Sequence, residues 1–222
     1  MPHAATPAPT IEIVGRQSSH YTRLVRMLAL ELGLSPRHVP IFDLLSDDPA
    51  IYGGNPALKL PNLRVDGEEI WGSHNACRRL ARLVDGGDAR VFWPEQAREA
   101  GLMNAHEIVA HAMSVEVEVV IHEVLAKRPE DAVSRKRRQS LLNSLDWLDA
   151  HLDAIRAALP GNRIAFIELQ LFCLIEFLAF RYPLDMSQRP RLQAFVAEFG
   201  ARPSAQATPY RFDAPPADPP KA

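Results

Sequence analysis

The segment NPALKLPNLRVDGEEIWGSHNACRRL, residues 55–80, constrains the fold more than any other part of the chain. Leu63 and Val65 alternate with polar residues, an Asp-Gly pair follows, and the chain returns through Ile70. This pattern predicts a β-hairpin with a type I′ turn, because Asp-Gly tolerates the positive φ angles that the turn requires. Ser73 then caps a predicted amphipathic helix, so the segment is a strand, strand, helix unit.

A strand and a helix also come before this segment. Residues 11–14 are a β-branched run that predicts a strand, and the helical spacing that follows predicts a helix ended by Gly33. Residues 38–42 are a second possible strand, which Pro40 restricts to the edge of a sheet. The order therefore predicts an α/β unit over residues 11–85, with parallel and antiparallel strands in one sheet.

The rest of the chain has a helical pattern. After a linker at residues 86–95, apolar side chains recur at helical spacing and predict an all-helical domain over residues 96–208. The stretch SVEVEVV, residues 114–120, alternates like a strand, but the helical period around it favours a helix. Residues 1–10 lack the basic start and apolar core of a secretory signal and are expected to be a flexible arm. Residues 209–222 are expected to be a disordered Pro-rich tail.

Composition narrows the function classes. With 47% apolar and 23% charged residues and a net charge of -2, the chain has the composition of a soluble globular protein without affinity for nucleic acid or an anionic membrane. Cys77 and Cys173 lie in helical patterns without a CxxC motif, which predicts reduced core thiols. His106 and His111 are five residues apart, so HEIVAH is not a zinc motif. We therefore expect a cytoplasmic protein without a metal.

Ser18, Ser19, His20 and Tyr21 are crowded at the start of the first predicted helix. A helix N-terminus presents unsatisfied N–H groups and about half a positive charge, which favours a thiolate or carboxylate placed there. A serine hydroxyl that donates to a bound thiolate contributes roughly 1.5 to 3 kcal/mol and would lower the thiol pKa by about one to two units. The alternative is that Ser18 or Ser19 only caps the helix.

Three motifs resemble those of one known family. The segment SHYTRLVRMLALELGL, residues 19–34, is similar to SPxxRKVRxxLxExGL. Residues 55–80 resemble NPxxKVPxLxxDGxxLxESxAIxxYL, and RPSAQATPY, residues 202–210, resembles RPSxxxT. Together these motifs span most of the chain and resemble the cytosolic glutathione transferases, here a divergent member of bacterial type. The resemblance implies a thioredoxin-like N-terminal domain followed by an all-helical C-terminal domain.

The resemblance also implies site residues for glutathione. Leu60 would pair its backbone with the cysteinyl unit before a cis Pro61, and Ser73 would hold the γ-glutamyl carboxylate with its hydroxyl and N–H. Lys59 matches a position that helps to hold the peptide, although an exposed lysine is the alternative. Gly72 stands where the family has an acidic or glutamine residue, so one polar side chain of the carboxylate site is missing.

The activating position falls on Ser19, with Ser18, His20 and Tyr21 close enough to replace it. His20 stands where proline is usual. The family's capping box appears as Ala165-Phe-Ile-Glu168, which lacks the cap hydroxyl.

The resemblance implies an enzyme of detoxification that uses glutathione as co-substrate, adds its thiolate to a small electrophile and forms a homodimer. An apolar acceptor pocket between the two domains would be lined by Tyr21, Met103, His106 and Met113, unless these residues only pack between helices. The alternative function is a non-catalytic scaffold that binds a protein, to which His20, Gly72 and the altered capping box point.

Overall fold

A computed structural model describes residues 9–214 of the chain. Residues 1–8 of the predicted arm and residues 215–222 of the predicted tail lie outside this range. The N-terminal elements are β1 (Ile11–Gly15), α1 (His20–Glu31), β2 (Arg37–Pro40), a short 3₁₀ helix (Pro49–Tyr52), β3 (Asn62–Val65), β4 (Glu68–Trp71), α2 (Ser73–Arg82) and α3 (Gly87–Arg90). The remaining elements are β5 (Val91–Phe92), a 3₁₀ helix (Pro94–Gln96), α4 (Ala100–Val119), a π-helix (Val120–Leu125), α5 (Ala132–Ala157), β6 (Ile164–Ala165), α6 (Phe166–Arg181), α7 (Pro190–Phe199) and α8 (Pro203–Gln206).

The main sheet has the strand order β2-β1-β3-β4. Strand β1 pairs with β2 in parallel and with β3 antiparallel, and β3 pairs antiparallel with β4. Strand β2, which carries Pro40, lies at the edge as predicted. Asp66 and Gly67 have φ angles of 50° and 87°, which is the type I′ geometry predicted from the Asp-Gly pair. The predicted mixed α/β unit is therefore confirmed.

The second half is built from long helices that follow the apolar periodicity. The stretch SVEVEVV belongs to α4 and its π-helical continuation, so its strand-like alternation was overridden by the longer helical period. Helix α6 is apolar around most of its surface and lies buried, with Phe166, Phe172 and Leu174 almost fully enclosed. None of the helices in residues 9–214 is long and apolar enough to cross a bilayer.

Two local features differ from the sequence expectations. The N-cap of α2 is Gly72 and Ser73 is the first helical residue, so the prediction that Ser73 caps the helix is wrong. Strand β5, inside the predicted linker, pairs in parallel with β6, so the helical half contains one strand of a small second sheet. Neither strand could be anticipated from the sequence, because two residues are too few to show a period.

The first and third sequence motifs contact each other. In the first motif, Arg23 donates to Thr208 Oγ1 (3.5 Å) and to the carbonyl of Ala205 (3.4 Å) of the third. Glu31, at the end of α1, accepts a hydrogen bond from the Ser204 hydroxyl. The RPSAQAT element is therefore a brace that fastens the end of the chain to α1.

Candidate active site

The register of the main sheet brings three segments together. Val14, near the end of β1, pairs with Asn62, and Asn62 pairs with Trp71 across the hairpin. The loop after β1, the residues before β3 and the residues after β4 therefore meet at one end of the sheet. A backbone hydrogen bond of 3.1 Å from Gly72 N–H to the Pro61 carbonyl links the last two segments directly.

Ser19 is the N-cap of α1. Its hydroxyl oxygen accepts a hydrogen bond from the Thr22 N–H at 3.3 Å, and its backbone is extended. The predicted capping role is thus observed. Capping uses only a lone pair of the oxygen, so the Ser19 O–H remains able to donate to a ligand. Ser18 precedes it in the same loop, and both side chains are half-buried.

The Leu60-Pro61 peptide bond is cis, as the resemblance implied. The loop before it is organised by Asn55, whose amide nitrogen donates to the Lys59 carbonyl (2.9 Å) and whose oxygen accepts from the Ala57 N–H (3.0 Å). Sequence reasoning used Asn55 only as part of a motif and missed this role. The Lys59 side chain itself is exposed to solvent.

Gly72 and Ser73 form the turn from β4 into α2. Gly72 has φ 85° and ψ 147°, a conformation that favours glycine, and a Cβ placed there would meet no atom within 4 Å. The missing side chain therefore leaves open space. The Ser73 side chain lies at the helix N-terminus and the residue is 8% exposed. The first N–H groups of α2 are available to an anion there.

A cavity of about 390 Å³ adjoins the first two segments. It is lined by Arg16, Ser18, Ser19, His20, Leu44, Leu60, Val117, Val120, Ile121, Leu125, Phe177, Arg181 and Phe212. It thus contains four of the nine predicted site residues, whereas Tyr21, Lys59, Pro61, Gly72 and Ser73 do not line it. Other clefts of similar volume lie on the surface, away from this end of the sheet.

The predicted acceptor-pocket residues do not line this cavity. Met113 is fully buried, His106 is 7% exposed among helices, and Met103 is 54% exposed. Val117, which does line the cavity, is one turn beyond Met113 on the same face of α4. The predicted acceptor-pocket residues of α4 therefore lie nearer its N-terminus than the residue that lines this cavity.

His20 is enclosed beside the cavity. Its ring lies 4.2 Å from Tyr21 and 4.5 Å from Phe177 between centroids, and its Nδ1 is 3.8 Å from Oε2 of the buried Glu116. Burial lowers the pKa of His20 to about 3 and raises the pKa of Glu116 well above its usual range. Burial and then the nearby Glu116 raise the pKa of Tyr21 to about 12. Burial thus disfavours the charged form of all three groups.

The end of the described chain closes one side of the cavity. Asp213, with 3% of its side chain exposed, binds Arg16 Nε (3.1 Å), Gln17 N–H (2.9 Å) and His38 Nε2 (3.2 Å). Burial opposes ionisation of Asp213, but the Gln17 and His38 hydrogen bonds outweigh it and its pKa is lowered. Residues 209–214 of the predicted disordered tail therefore pack on the protein, and Phe212 reaches the cavity.

The opposite wall is the π-helix after α4. Glu123 anchors it by accepting hydrogen bonds from the Tyr182 hydroxyl (2.6 Å) and Arg138 Nε (3.0 Å). Ile121 and Leu125 consequently line the cavity. Single π-helical turns are frequent at functional sites.

The two cysteines are not placed to act as nucleophiles, and the histidines of the described residues belong to no metal-binding cluster. Cys77 and Cys173 are free and buried, as predicted, and burial raises the pKa of Cys77 and raises that of Cys173 to about 12. Within the described part of the chain, no group of three or more His, Cys, Asp or Glu side chains could hold a metal ion.

These features define the class of the protein: a thioredoxin-like unit joined to a helical unit, with a polar site at the sheet end and an apolar cavity beside it. A maize protein, glutathione S-transferase 3, is 26% identical over 196 residues, which cover 84% of this chain and 87% of that protein. No family model matches the sequence.

Solved structures share the fold. A glutathione S-transferase from Methylobacillus flagellatus, with GSH bound, has a TM-score of 0.72 at 20% identity and covers 90% of this chain and 99% of its own. A glutathione transferase from Phanerochaete chrysosporium, with oxidized glutathione, has a TM-score of 0.74 at 14% identity, covering 92% and 95%. The chain is thus similar in sequence to one glutathione transferase and shares its fold with others, which confirms the resemblance and the predicted fold class. The bacterial type remains a prediction.

Proposed function

We propose that this chain is a glutathione-dependent transferase that adds the glutathione thiolate to a small electrophile. The observation that carries the proposal is the meeting of the α1 N-terminus, the Leu60-Pro61 segment and the α2 N-terminus at one end of the sheet, beside an apolar cavity. A peptide with a thiol in its middle and a carboxylate at each end fits two helix N-termini that favour anions. The M. flagellatus relative, whose structure contains GSH, supports the same ligand.

Each segment has a role in binding. The Leu60 backbone pairs with the cysteinyl unit, and the Ser73 hydroxyl and N–H hold the γ-glutamyl carboxylate. The Pro61 carbonyl accepts a hydrogen bond from the Gly72 N–H, and this bond keeps Leu60 close to Gly72. Because Gly72 contributes no side chain, the γ-glutamyl carboxylate is bound by Ser73 together with the N-terminus of α2. Lys59 is exposed and contributes its charge to the rim.

Ser19 activates the thiol in this proposal. Its O–H donates to the sulfur while its oxygen still caps α1. The thiol proton goes to solvent, and the thiolate then forms a C–S bond to the electrophilic carbon of the acceptor in the cavity. The bond from that carbon to the leaving group breaks and the leaving group departs with the electron pair; in an addition, the π-bond electrons move to the neighbouring atom, which takes a proton from solvent. Ser18 lines the same cavity and is the substitute. His20 and Tyr21, both uncharged and largely enclosed, are less suited to stabilise a thiolate than a free hydroxyl.

The proposal includes a homodimer, a cytoplasmic location and a role in detoxification. It also includes the division into residues 11–85 and 96–208, joined at residues 86–95. Light scattering after size exclusion tests the dimer, and a monomer at micromolar concentration would contradict it.

Calorimetric titration of reduced glutathione tests the binding site. We expect micromolar to low-millimolar binding to the wild type and a loss of about 1 kcal/mol or more in Ser73→Ala, because a charged hydrogen bond is removed. Ser187→Ala, at an exposed serine outside the site, is the matched control and should bind like the wild type. No binding to the wild type would contradict the enzyme and favour the alternative of a non-catalytic scaffold.

The thiol-activating group is tested by turnover and by the ultraviolet absorbance of the bound thiolate. Ser19→Gly removes the hydroxyl but, at an N-cap, costs only a few tenths of a kcal/mol in capping relative to serine. We expect the pKa of bound glutathione to rise by about one to two units with little change in its affinity. Ser18→Ala is the comparison and should leave the pKa of bound glutathione unchanged. If Ser18→Ala raises this pKa and Ser19→Gly does not, the activating role belongs to Ser18.

A further inference from the structure

The cavity that Ser19 lines is mostly apolar. Its walls are aliphatic and aromatic, mainly from the π-helix, α6 and the C-terminal segment. Arg16 and Arg181 are its only charged lining residues, because burial keeps His20 neutral. The two arginines differ in what their guanidinium groups already bind.

The Nε and Nη1 atoms of Arg16 are bound to other parts of the protein. Its Nε pairs with Asp213 at 3.1 Å, and its Nη1 donates to the carbonyls of Ile41 (3.0 Å) and Phe42 (3.4 Å). These bonds fix the guanidinium to the sheet edge and the C-terminal segment. Arg16 is therefore a structural part of the wall.

Arg181 is not engaged in this way. Among residues 9–214, no Asp or Glu side chain lies within 4.0 Å of its guanidinium. Its charge rests near the aromatic rings of Phe212 (5.1 Å) and Phe180 (5.9 Å). Burial and then the like charge of Arg16 lower the pKa of Arg181, so the surroundings disfavour its charge. A guanidinium nevertheless stays protonated at neutral pH and offers a fork of N–H donors that matches a carboxylate.

We propose that the acceptor substrate is an apolar electrophile that carries a carboxylate, and that Arg181 binds this carboxylate. The inference rests on the proposed glutathione-transferase function. The body of the substrate would lie between Ile121 and Leu125 on one side and Phe177 and Phe212 on the other. Its electrophilic carbon would then face Ser19, which lines the same cavity. Arg181 acts as a specificity residue for the anionic group and not as an activator of the thiol.

A matched pair of aromatic acceptors tests the proposal. One is a chloronitrobenzoate with chlorine para to the carboxylate and the nitro group beside the chlorine, and the other is the neutral primary amide of the same acid. In both, the thiolate forms a C–S bond at the carbon that bears chlorine, the C–Cl bond breaks, and chloride leaves with the electron pair. The two acceptors differ in charge but hardly in shape.

Steady-state kcat/KM for both acceptors is compared in the wild type, Arg181→Gln and Arg181→Lys. We expect Arg181→Gln to lower kcat/KM for the benzoate by about tenfold or more, as for the loss of a charged hydrogen bond, and to change that for the amide by less than about twofold. Arg181→Lys should restore part of the benzoate rate. Arg211→Gln, which removes the same charge from an exposed residue bonded to Gln17, should change both rates alike.

Calorimetry with two glutathione conjugates supplies a measurement that needs no turnover. S-(carboxybenzyl)glutathione should lose affinity in Arg181→Gln by about tenfold, whereas S-benzylglutathione should not. An equal loss for both conjugates, or for glutathione itself, would assign Arg181 to glutathione's own carboxylate and overturn the proposal. An equal fold-change in kcat/KM for the two acceptors between the wild type and Arg181→Gln would also overturn it. If the wild type binds neither glutathione nor either conjugate, the proposed function fails and the substrate class fails with it.

Discussion

The buried pair of His20 and Glu116 makes acid stability a sharp test of the structure. His20 is 1% exposed and Glu116 is 0% exposed, and neither side chain has a hydrogen-bond partner within the described residues. Burial lowers the pKa of the histidine from 6.5 to about 3 and raises that of the carboxyl group. Burial therefore disfavours the charged form of both groups in the folded protein.

The two groups make opposite contributions as the pH falls. The unfolded chain takes up a proton on His20 below about pH 6.5 and the folded protein does not, so this histidine costs stability as the pH falls. Between about pH 7 and about pH 5 the cost is about 2 kcal/mol, at 1.36 kcal/mol per pH unit below 6.5. Because burial raises the pKa of Glu116 in the folded protein above its usual value of 4.5, its contribution to stability rises as the pH falls towards that value.

Single substitutions separate these contributions. Urea unfolding at both pH values should show that His20→Phe loses about 2 kcal/mol less than the wild type on acidification. Glu116→Gln, which removes the opposing group, should lose more than the wild type. His106, whose pKa burial lowers to about 4, provides a second example, and His106→Phe should also lose about 2 kcal/mol less.

One result would refute this account. If His20 and Glu116 formed a charged pair in the folded protein, the pKa of His20 would be raised and the histidine would stabilise the fold at acid pH. His20→Phe would then lose as much stability as the wild type on acidification, or more. Titration of the His20 ring by nuclear magnetic resonance would distinguish the two forms directly, because the neutral ring should not titrate between about pH 5 and pH 7.

Two further substitutions test the binding segments. Asn55→Asp removes the amide donor to the Lys59 carbonyl but keeps the acceptor for the Ala57 N–H. We expect the free energy of unfolding in urea to fall by about 1 to 3 kcal/mol and calorimetry to show weaker glutathione binding. Unchanged binding would show that this loop does not position Leu60. Gly72→Gln adds a polar side chain in open space, at a backbone φ of 85° that a non-glycine residue adopts only with strain. We expect tighter glutathione binding and a loss of about 1 to 3 kcal/mol in the free energy of unfolding. Unchanged affinity for glutathione would count against a carboxylate site there.

Local chemistry explains which parts of the fold were predictable. The Asp66-Gly67 turn depends on the φ preferences of two adjacent residues, and the structure has both angles positive. The β5 and β6 pairing joins residues 91 and 92 to residues 164 and 165, and two-residue strands leave no period in the sequence. Asp213 likewise lies in a Pro-rich stretch, and its partners Arg16 and His38 are distant in sequence.

The same distinction applies to the candidate site. Ser19, Leu60 and Ser73 were named because they lie in motifs with fixed spacing, and each is located where a strand or helix begins or ends. The cavity-lining residues of α4 and of the π-helix that follows it were not named from the sequence, because most of them belong to the π-helix. That π-helix is anchored by two hydrogen bonds to Glu123, one from Arg138 of α5 and one from Tyr182, which follows α6. No single spacing in the sequence encodes such an arrangement.

The three motifs do not carry equal weight as evidence for catalysis. Arg23 and Glu31 of the first motif and Ser204 and Thr208 of the third bond to one another, so their retention reports the docking of the chain end on α1. A non-catalytic scaffold would need that brace as much as an enzyme does. The free O–H of Ser19 is different, because the capping bond to Thr22 N–H requires only an oxygen acceptor, which other capping residues supply. Enzyme and scaffold are therefore distinguished by removing the Ser19 hydroxyl, and not by any variant of the brace.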